Sequence, residues 1–336
     1  LSRIAVIGAG SWGTALSIVA GRGSQHQVKL WALEPEVCHS ILESRTNCLF
    51  LPGCPVPESV TPVNDLQTAL SGAELVVSAV PSHHCRRVFE HMAQWLLPGM
   101  LFINATKGIE NDTLLRMSQV IDEVVTRLCG FTPKIAALSG PTFAKEVAQG
   151  SPTALTAASA DLSLAATVQK ELSDPLFRIY MNDDLTGVEL GGSLKNVIAI
   201  AAGVCSGLGL GHNSVAALIT RGLAEISRLA VACGAKPQTM SGLAGMGDLV
   251  LTCTGGLSRN RSVGIALGEG KTLEEIMAGM HGMVAEGVLT TNAALGLARK
   301  YGTEMPITEQ MYAILHDGKS PRDAIRELMA RPGKAE

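Results

Sequence analysis

Between Arg3 and Asn182 the chain repeats one pattern, a short apolar β-rich run followed by a segment long enough for a helix. The runs are "RIAVIG", "QVKLWAL", "ELVVSAV", "MLFINAT", "KIAALSG", "PTALTAAS" and "FRIYMN". Continuously apolar strands are buried on both faces, and helix-length spacers between them predict a mostly parallel, doubly wound sheet with helices on either side. From Gly187 onward the strands stop. Leu190, Leu194, Val197, Ile198, Ala201 and Cys205 fall on one helical face, and "VAALITRGLAEISRLAVACGA" and "SPRDAIRELMAR" keep a similar period. Gly234, Gly302 and Gly318 stand where helix C-terminal glycines belong. The change of period predicts an α/β domain over 1–187 and an all-helical domain over 188–336.

Two domains also suit a length of 336 residues, since one domain takes roughly 100 to 200. Only 17% of residues are charged and 46% are hydrophobic, so much of the chain belongs in a core or an interface. That favours an oligomer, expected as a homodimer. A net charge of −3 gives no general attraction for nucleic acid or anionic lipid, so a phosphate site has to be local. Residues 196–220 carry no formal charge, yet "SGLGLGHNS" divides the stretch into apolar pieces far short of the roughly 20 residues of a membrane span. The N-terminal strand has no basic region before it, which points to the cytoplasm. Eight cysteines without a C-x-x-C pair are expected as reduced thiols, and histidines without ligand spacing predict no metal site.

"IAVIGAGSWGTAL" places Gly8, Gly10 and Gly13 after a strand and before a helix. The first glycine allows a tight turn, the second lets the backbone approach a pyrophosphate, and the third lets helix and strand close up. Glu34 follows Gly13 by 21 residues, where an acid binds the ribose hydroxyls of NAD. No Arg or Lys stands at 32–35 to meet a 2′-phosphate, so NAD is favoured over NADP. Further strand ends offer Pro81-Ser82, Lys107 in "FINATKGIE", and Gly140, Pro141 and Thr142 in "SGPTFAKE", entering a helix whose amides could face an anion.

In the helical half, Lys195 rises from a face that carries Gly191, Gly192, Ile198, Ala199 and Ala202. Small residues let either another helix or a ligand come close, and burial lowers a lysine pKa toward a usable base. The Gly-rich "GLAGMGDLVLTCTGGLSRNRS" adds Asp248, Thr252, Ser258, Arg259, Asn260 and Arg261. Asp248 could hold the lysine, and Arg259 offers a fork for phosphate oxygens. A helix cap and a solvated basic turn are the plain alternatives. Together these features describe a dehydrogenase for a small phosphorylated alcohol or ketone.

The blocks "GAGSWGTAL", "VPSH", "ATKGIE", "SGPTFAKEV", "GGSLKNVIAIAAG", "ALITRGLAE", "GMGDLVLTCT", "SRNRSVG" and "MPITE" occur in an order that resembles the bacterial NAD(P)-dependent glycerol-3-phosphate dehydrogenases. The resemblance implies a Rossmann domain followed by a helical domain of the 6-phosphogluconate dehydrogenase C-terminal type. It implies Lys195 as general acid and base for the C2 oxygen of dihydroxyacetone phosphate or glycerol 3-phosphate, in a catalytic set with Lys107 and Asp248. Lys107, Gly140, Thr142, Lys195, Asp248, Ser258, Arg259 and Asn260 would contact substrate. Ser11, Trp12, Lys107, Ala144, Arg259, Val284 and Glu286 would join the glycines and Glu34 around the NAD(P). It also implies a role in glycerophospholipid synthesis. Leu33 stands where many members carry a basic residue, and Ala285 where Val is common. Two other functions stay open on residues alone: a hydroxy-acid dehydrogenase of the same architecture, and a silent NAD-sensing protein.

Overall fold

In the computed structural model, residues 2–280 and 285–333 are described. The first half runs β1 (Ser2–Ile7), α1 (Ser11–Gly21), β2 (His26–Trp31), α2 (Pro35–Ser44), β3 (Thr46–Asn47), β4 (Leu51–Pro55), β5 (Val60–Val63), α3 (Leu66–Leu70), β6 (Leu75–Ser78), α4 (Cys85–Met92), β7 (Leu101–Asn104), α5 (Met117–Cys129), β8 (Lys134–Ser139), α6 (Ala144–Ala148), β9 (Thr153–Ala158), α7 (Leu162–Leu172) and β10 (Phe177–Asn182). The second half is helical: α8 (Leu185–Gly207), α9 (His212–Ala232), α10 (Pro237–Met240), α11 (Asp248–Thr254), α12 (Arg259–Gly268), α13 (Leu273–Ala278), α14 (Glu286–Tyr301), α15 (Pro306–His316) and α16 (Pro321–Met329).

The main sheet has the order β10-β9-β8-β7-β6-β1-β2-β5. Every neighbouring pair is parallel except β8 and β9, which run antiparallel with Leu138 opposite Ala157. Alternation along the strands feeds two separate cores. Ile4 and Val6 of β1, with Leu101 and Ile103 of β7, join the cluster that includes α1 and α7. Ala5, Ile7 and Phe102 face the other way, into the cluster with Phe89 of α4 and Val120, Ile121 and Val124 of α5. Period-two strands covered on both faces therefore explain the continuous apolar runs.

The chain forms two compact units, Leu1–Lys107 with Leu115–Glu189, and Gly108–Leu114 with Leu190–Glu336. The excursion 108–114 joins the helical unit because Ile109 and Leu114 belong to its core. In that unit α8 is the central helix. It is 23 residues long and apolar enough to cross a bilayer by length and composition, and its most apolar 18-residue stretch is wholly buried. The break expected at "SGLGLGHNS" is where α8 ends, at Gly207, and α9 begins, at His212; the helix reaches span length only because it starts at Leu185, before the uncharged stretch, and includes Glu189 and Lys195. Its apolar surface is satisfied by other helices.

Four glycines set how α8 meets α12. A Cβ on Gly203 would lie 2.1 Å from the Arg261 carbonyl oxygen, and one on Gly264 would lie 1.9 Å from that of Ile200. Gly207 and Gly268 repeat the contact one turn on. Both pairs are spaced i, i+4, so each helix presents a bare stripe and the backbones touch.

Candidate active site

At the nucleotide end the three glycines of the β1–α1 turn have the three distinct environments their roles require. Gly8 has φ +109°, and a Cβ there would lie 2.9 Å from the Ala79 carbonyl group. A Cβ on Gly13 would collide with the Gly8 carbonyl oxygen at 1.8 Å, so strand and helix close only without one. A Cβ on Gly10 would meet nothing within 4 Å. Gly10 is the N-cap of α1 and no side chain caps that helix end, an arrangement suited to first-turn amides that receive a pyrophosphate. This arrangement fits a dinucleotide.

The other nucleotide candidates lie in the same unit. Ser11 Oγ donates to the Phe50 carbonyl at 2.6 Å. Trp12 packs on the core with its Nε1 buried and without a hydrogen-bond partner. Glu34 is the partly buried N-cap residue of α2, and Leu33 beside it is 67% exposed. Lys107 Nζ donates to the Gly140 carbonyl at 3.2 Å, which joins two sequence-predicted substrate residues. Thr142 Oγ1 donates to the same carbonyl at 3.1 Å. Gly140 and Thr142 do not sit at a helix N-terminus as expected. The helix starts at Ala144, capped by Phe143, and is a short α6.

In the helical unit Lys195 is buried, and Nζ donates to Asp248 Oδ1 and to Thr252 Oγ1, each at 2.5 Å. Asp248 is 1% exposed. Asp248 and Thr252 are four apart on α11, hence on one face. The Thr252 hydroxyl donates its hydrogen to the Asp248 backbone carbonyl at 2.7 Å, which leaves its lone pairs toward the ammonium. Asp248 is thus a counter-ion rather than a plain helix cap. A turn of π-helix, Leu243–Gly247, leads directly into it. Such turns occur often at functional sites.

This turn explains Gly191. A Cβ there would lie 2.6 Å from the Ala244 carbonyl oxygen, so of the two partners left open by the sequence, a ligand or another backbone, the structure shows a backbone. The glycine lets the segment that carries Asp248 approach α8 and Lys195. Burial pushes the neighbouring Cys253 thiol up to about 12, against the pull of Lys195, so this cysteine is an inert wall of the cluster.

The "SRNRS" segment opens α12. Ser258 is its N-cap and accepts from Arg261 N at 3.2 Å. Arg259 is the exposed first residue of the helix. Desolvation by surrounding atoms lowers its pKa and the Glu286 carboxylate raises it, and the guanidinium stays a cation. Asn260 is buried and works in both directions: Nδ2 donates to Asn196 Oδ1 at 3.0 Å, and Oδ1 accepts from Gly287 N at 2.9 Å. It thereby joins α8, α12 and the start of α14. Glu286 opens α14, whereas Val284 lies outside the described residues.

Thr252 is the member of the lysine cluster that the sequence did not assign. Its place four residues after Asp248 was the available signal. Among the described residues, no three His, Cys, Asp or Glu side chains gather as a metal site, and the cysteines are free thiols.

Residues 3–165 match the family model described as the N-terminus of NAD-dependent glycerol-3-phosphate dehydrogenase, and residues 184–326 match that of its C-terminus. The chain is 66% identical over 336 residues to a glycerol-3-phosphate dehydrogenase (NAD(P)+) of Koribacter versatilis, covering 100% of this chain and 99% of that one. It is 53% identical over 339 residues to the enzyme of the same name in Acidobacterium capsulatum, covering 100% of both. A crystal structure of glycerol-3-phosphate dehydrogenase from Coxiella burnetii matches with a TM-score of 0.92 at 41% identity, covering 98% of this chain and 99% of that one.

Proposed function

The chain belongs to the NAD-dependent glycerol-3-phosphate dehydrogenase family, and from that premise we propose how its residues share the family's reaction. That reaction is the reduction of dihydroxyacetone phosphate to glycerol 3-phosphate, a phospholipid precursor, with NAD(P)H. The buried Lys195, gripped by Asp248 and Thr252, is the observation that carries the assignment. Reduction at C2 turns a carbonyl oxygen into an alkoxide that needs a proton. Lys195 gives that proton, and takes it back in the oxidative direction. Asp248 and Thr252 fix the position of Nζ in both directions.

Most of the dinucleotide contacts come from 1–187, and the proton donor and phosphate contacts come from 188–336. Gly8, Gly10, Ser11, Trp12 and Gly13 hold the pyrophosphate end, Glu34 the adenosine ribose, and Ala144, Val284 and Glu286 further parts of the dinucleotide. When bound, the nicotinamide supplies the hydride. Arg259 and the N-terminus of α12, capped by Ser258, take the substrate phosphate, because a guanidinium fork and helix amides both suit a dianion. Asn260 keeps that helix end in place. Lys107, with Gly140 and Thr142, contacts the triose end. A cytoplasmic homodimer with a preference for NAD completes the proposal.

The direct test follows absorbance of NADH and NADPH with dihydroxyacetone phosphate and, in reverse, with glycerol 3-phosphate and hydroxy acids. Lys195→Met should keep NADH binding, read by fluorescence, and lose at least about 100-fold in turnover. Near-native turnover in that variant would remove Lys195 from the mechanism.

A further inference from the structure

Glu189 precedes Lys195 on α8 and is 7% exposed. Its Oε2 accepts from Arg116 Nη1 and Ser118 Oγ, each at 2.5 Å, and its Oε1 accepts from Ser118 N and Asn104 Nδ2, each at 2.8 Å. Arg116 and Ser118 belong to the N-terminal end of α5, where a carboxylate meets orphan amides and the positive end of the helix dipole. Those contacts alone would satisfy the acid. The bond to Asn104 is additional and leads elsewhere.

Asn104 ends β7 and is buried. Its Oδ1 accepts from Thr106 N at 3.1 Å, and Thr106 Oγ1 donates to the Val80 carbonyl at 2.9 Å. The next residue is Lys107, with Nζ 3.2 Å from the Gly140 carbonyl oxygen. A buried carboxylate thus orients an amide, and the amide fixes the backbone immediately before a lysine at the end of a strand. We infer that Glu189, acting through Asn104, is a positioning residue that aims Lys107 at the substrate. The inference rests on the assignment of Lys107 to substrate binding.

Asn104→Ala cuts this link and leaves the Glu189–Arg116 ion pair in place; Glu189→Gln weakens it from the other end. Each should lower kcat/KM for dihydroxyacetone phosphate by about tenfold to a hundredfold, the scale of a misplaced contact, with the Kd for NADH within about twofold of native. Because Glu189 acts through Lys107, a Lys107→Ala/Asn104→Ala double variant should be no slower than Lys107→Ala alone. A purely structural role predicts additive losses. Native kcat/KM in Asn104→Ala, or additivity in the double variant, overturns the inference. Native kinetics in Lys107→Ala would instead defeat the assignment of Lys107. Asn104→Asp keeps the Oδ1 acceptor for Thr106 and checks Asn104→Ala if that variant fails to fold; full native activity in it would also overturn the inference, since a carboxylate cannot donate to Glu189.

Discussion

The Thr252 hydroxyl oxygen stands 2.5 Å from Lys195 Nζ and sends its own hydrogen to the Asp248 backbone carbonyl. One helical turn therefore sets the direction in which the hydroxyl accepts. Thr252→Val keeps the shape and removes the acceptor. A hydrogen bond to a charged group contributes about 1.5–3 kcal/mol, so kcat should fall by about tenfold to a hundredfold with little change in the KM for NADH. Thr252→Ser should restore most of the rate. Steady-state kinetics of the three proteins check this, and a Thr252→Val enzyme with native kcat would reduce Thr252 to packing.

The Lys195–Asp248 pair also bears on stability. Asp248→Ala leaves a buried ammonium without its counter-ion, which costs about 3–5 kcal/mol. Lys195→Met/Asp248→Leu replaces both charges by apolar groups and should recover most of that loss while remaining inactive. Urea unfolding of the single and double variants, with turnover measured alongside, separates the two effects. Equal stability of the native protein and Asp248→Ala would show that water reaches the pair.

Gly203 sits where α8 and α12 touch, 2.1 Å from the Arg261 carbonyl oxygen by its Cβ position. In an exposed helix Gly→Ala would stabilise. Here Gly203→Ala must push the backbones apart, at about 1–3 kcal/mol for overpacking. The shift moves the α12 N-terminus with Ser258 and Arg259, so the KM for dihydroxyacetone phosphate should rise together with the drop in melting temperature. A stabilised variant would show that the helices slide without cost.

The strands of the main sheet were legible where hydrophobicity is continuous, as in β1, β6 and β7. β5 was not, because it is a four-residue edge strand and Pro62 interrupts its pattern. The antiparallel turn of β9 against β8 left no trace, since both orientations bury the same apolar residues. At the site, spacing found Lys195 and suggested Asp248. It left open whether Gly191 makes room for a ligand or for a helix, because a missing side chain does not say which partner needs the space. The Glu189 network escaped notice because its members lie far apart in sequence and meet only when β7, α5 and α8 assemble.

Glu225 of α9 is 1% exposed and accepts from Ile307 N, Thr308 N and Thr308 Oγ1 at 2.6–2.8 Å, so it caps α15 from another helix. Burial raises its pKa above the ordinary 4.5, opposed by those hydrogen bonds and by Arg228. A folded-state pKa above the unfolded one means that the native protein holds the proton more tightly. That contribution is complete below the unfolded value and is lost as pH rises through the folded one. The stability of the native protein relative to Glu225→Gln should therefore decline as pH climbs from about 4.5. Urea unfolding across that range checks it, and a difference that grows with pH would reverse the assignment.

Cofactor choice turns on the end of β2. With Glu34 assigned to the adenosine ribose as proposed above, its carboxylate would accept from a ribose hydroxyl and repel a 2′-phosphate, while the exposed Leu33 beside it brings no positive charge. Arg45, a cation after α2, is engaged with the carbonyls of Val56, Pro57 and Val60. The enzyme should therefore show a higher kcat/KM with NADH than with NADPH. Leu33→Arg/Glu34→Ser adds a cation and removes the repulsion, and should shift the ratio toward NADPH by about tenfold or more, the worth of one charge-assisted contact. Initial rates with both cofactors measure the ratio. Because a 2′-phosphate is a dianion, the gain in the variant should shrink as salt rises, whereas a gain insensitive to salt would point to shape rather than charge.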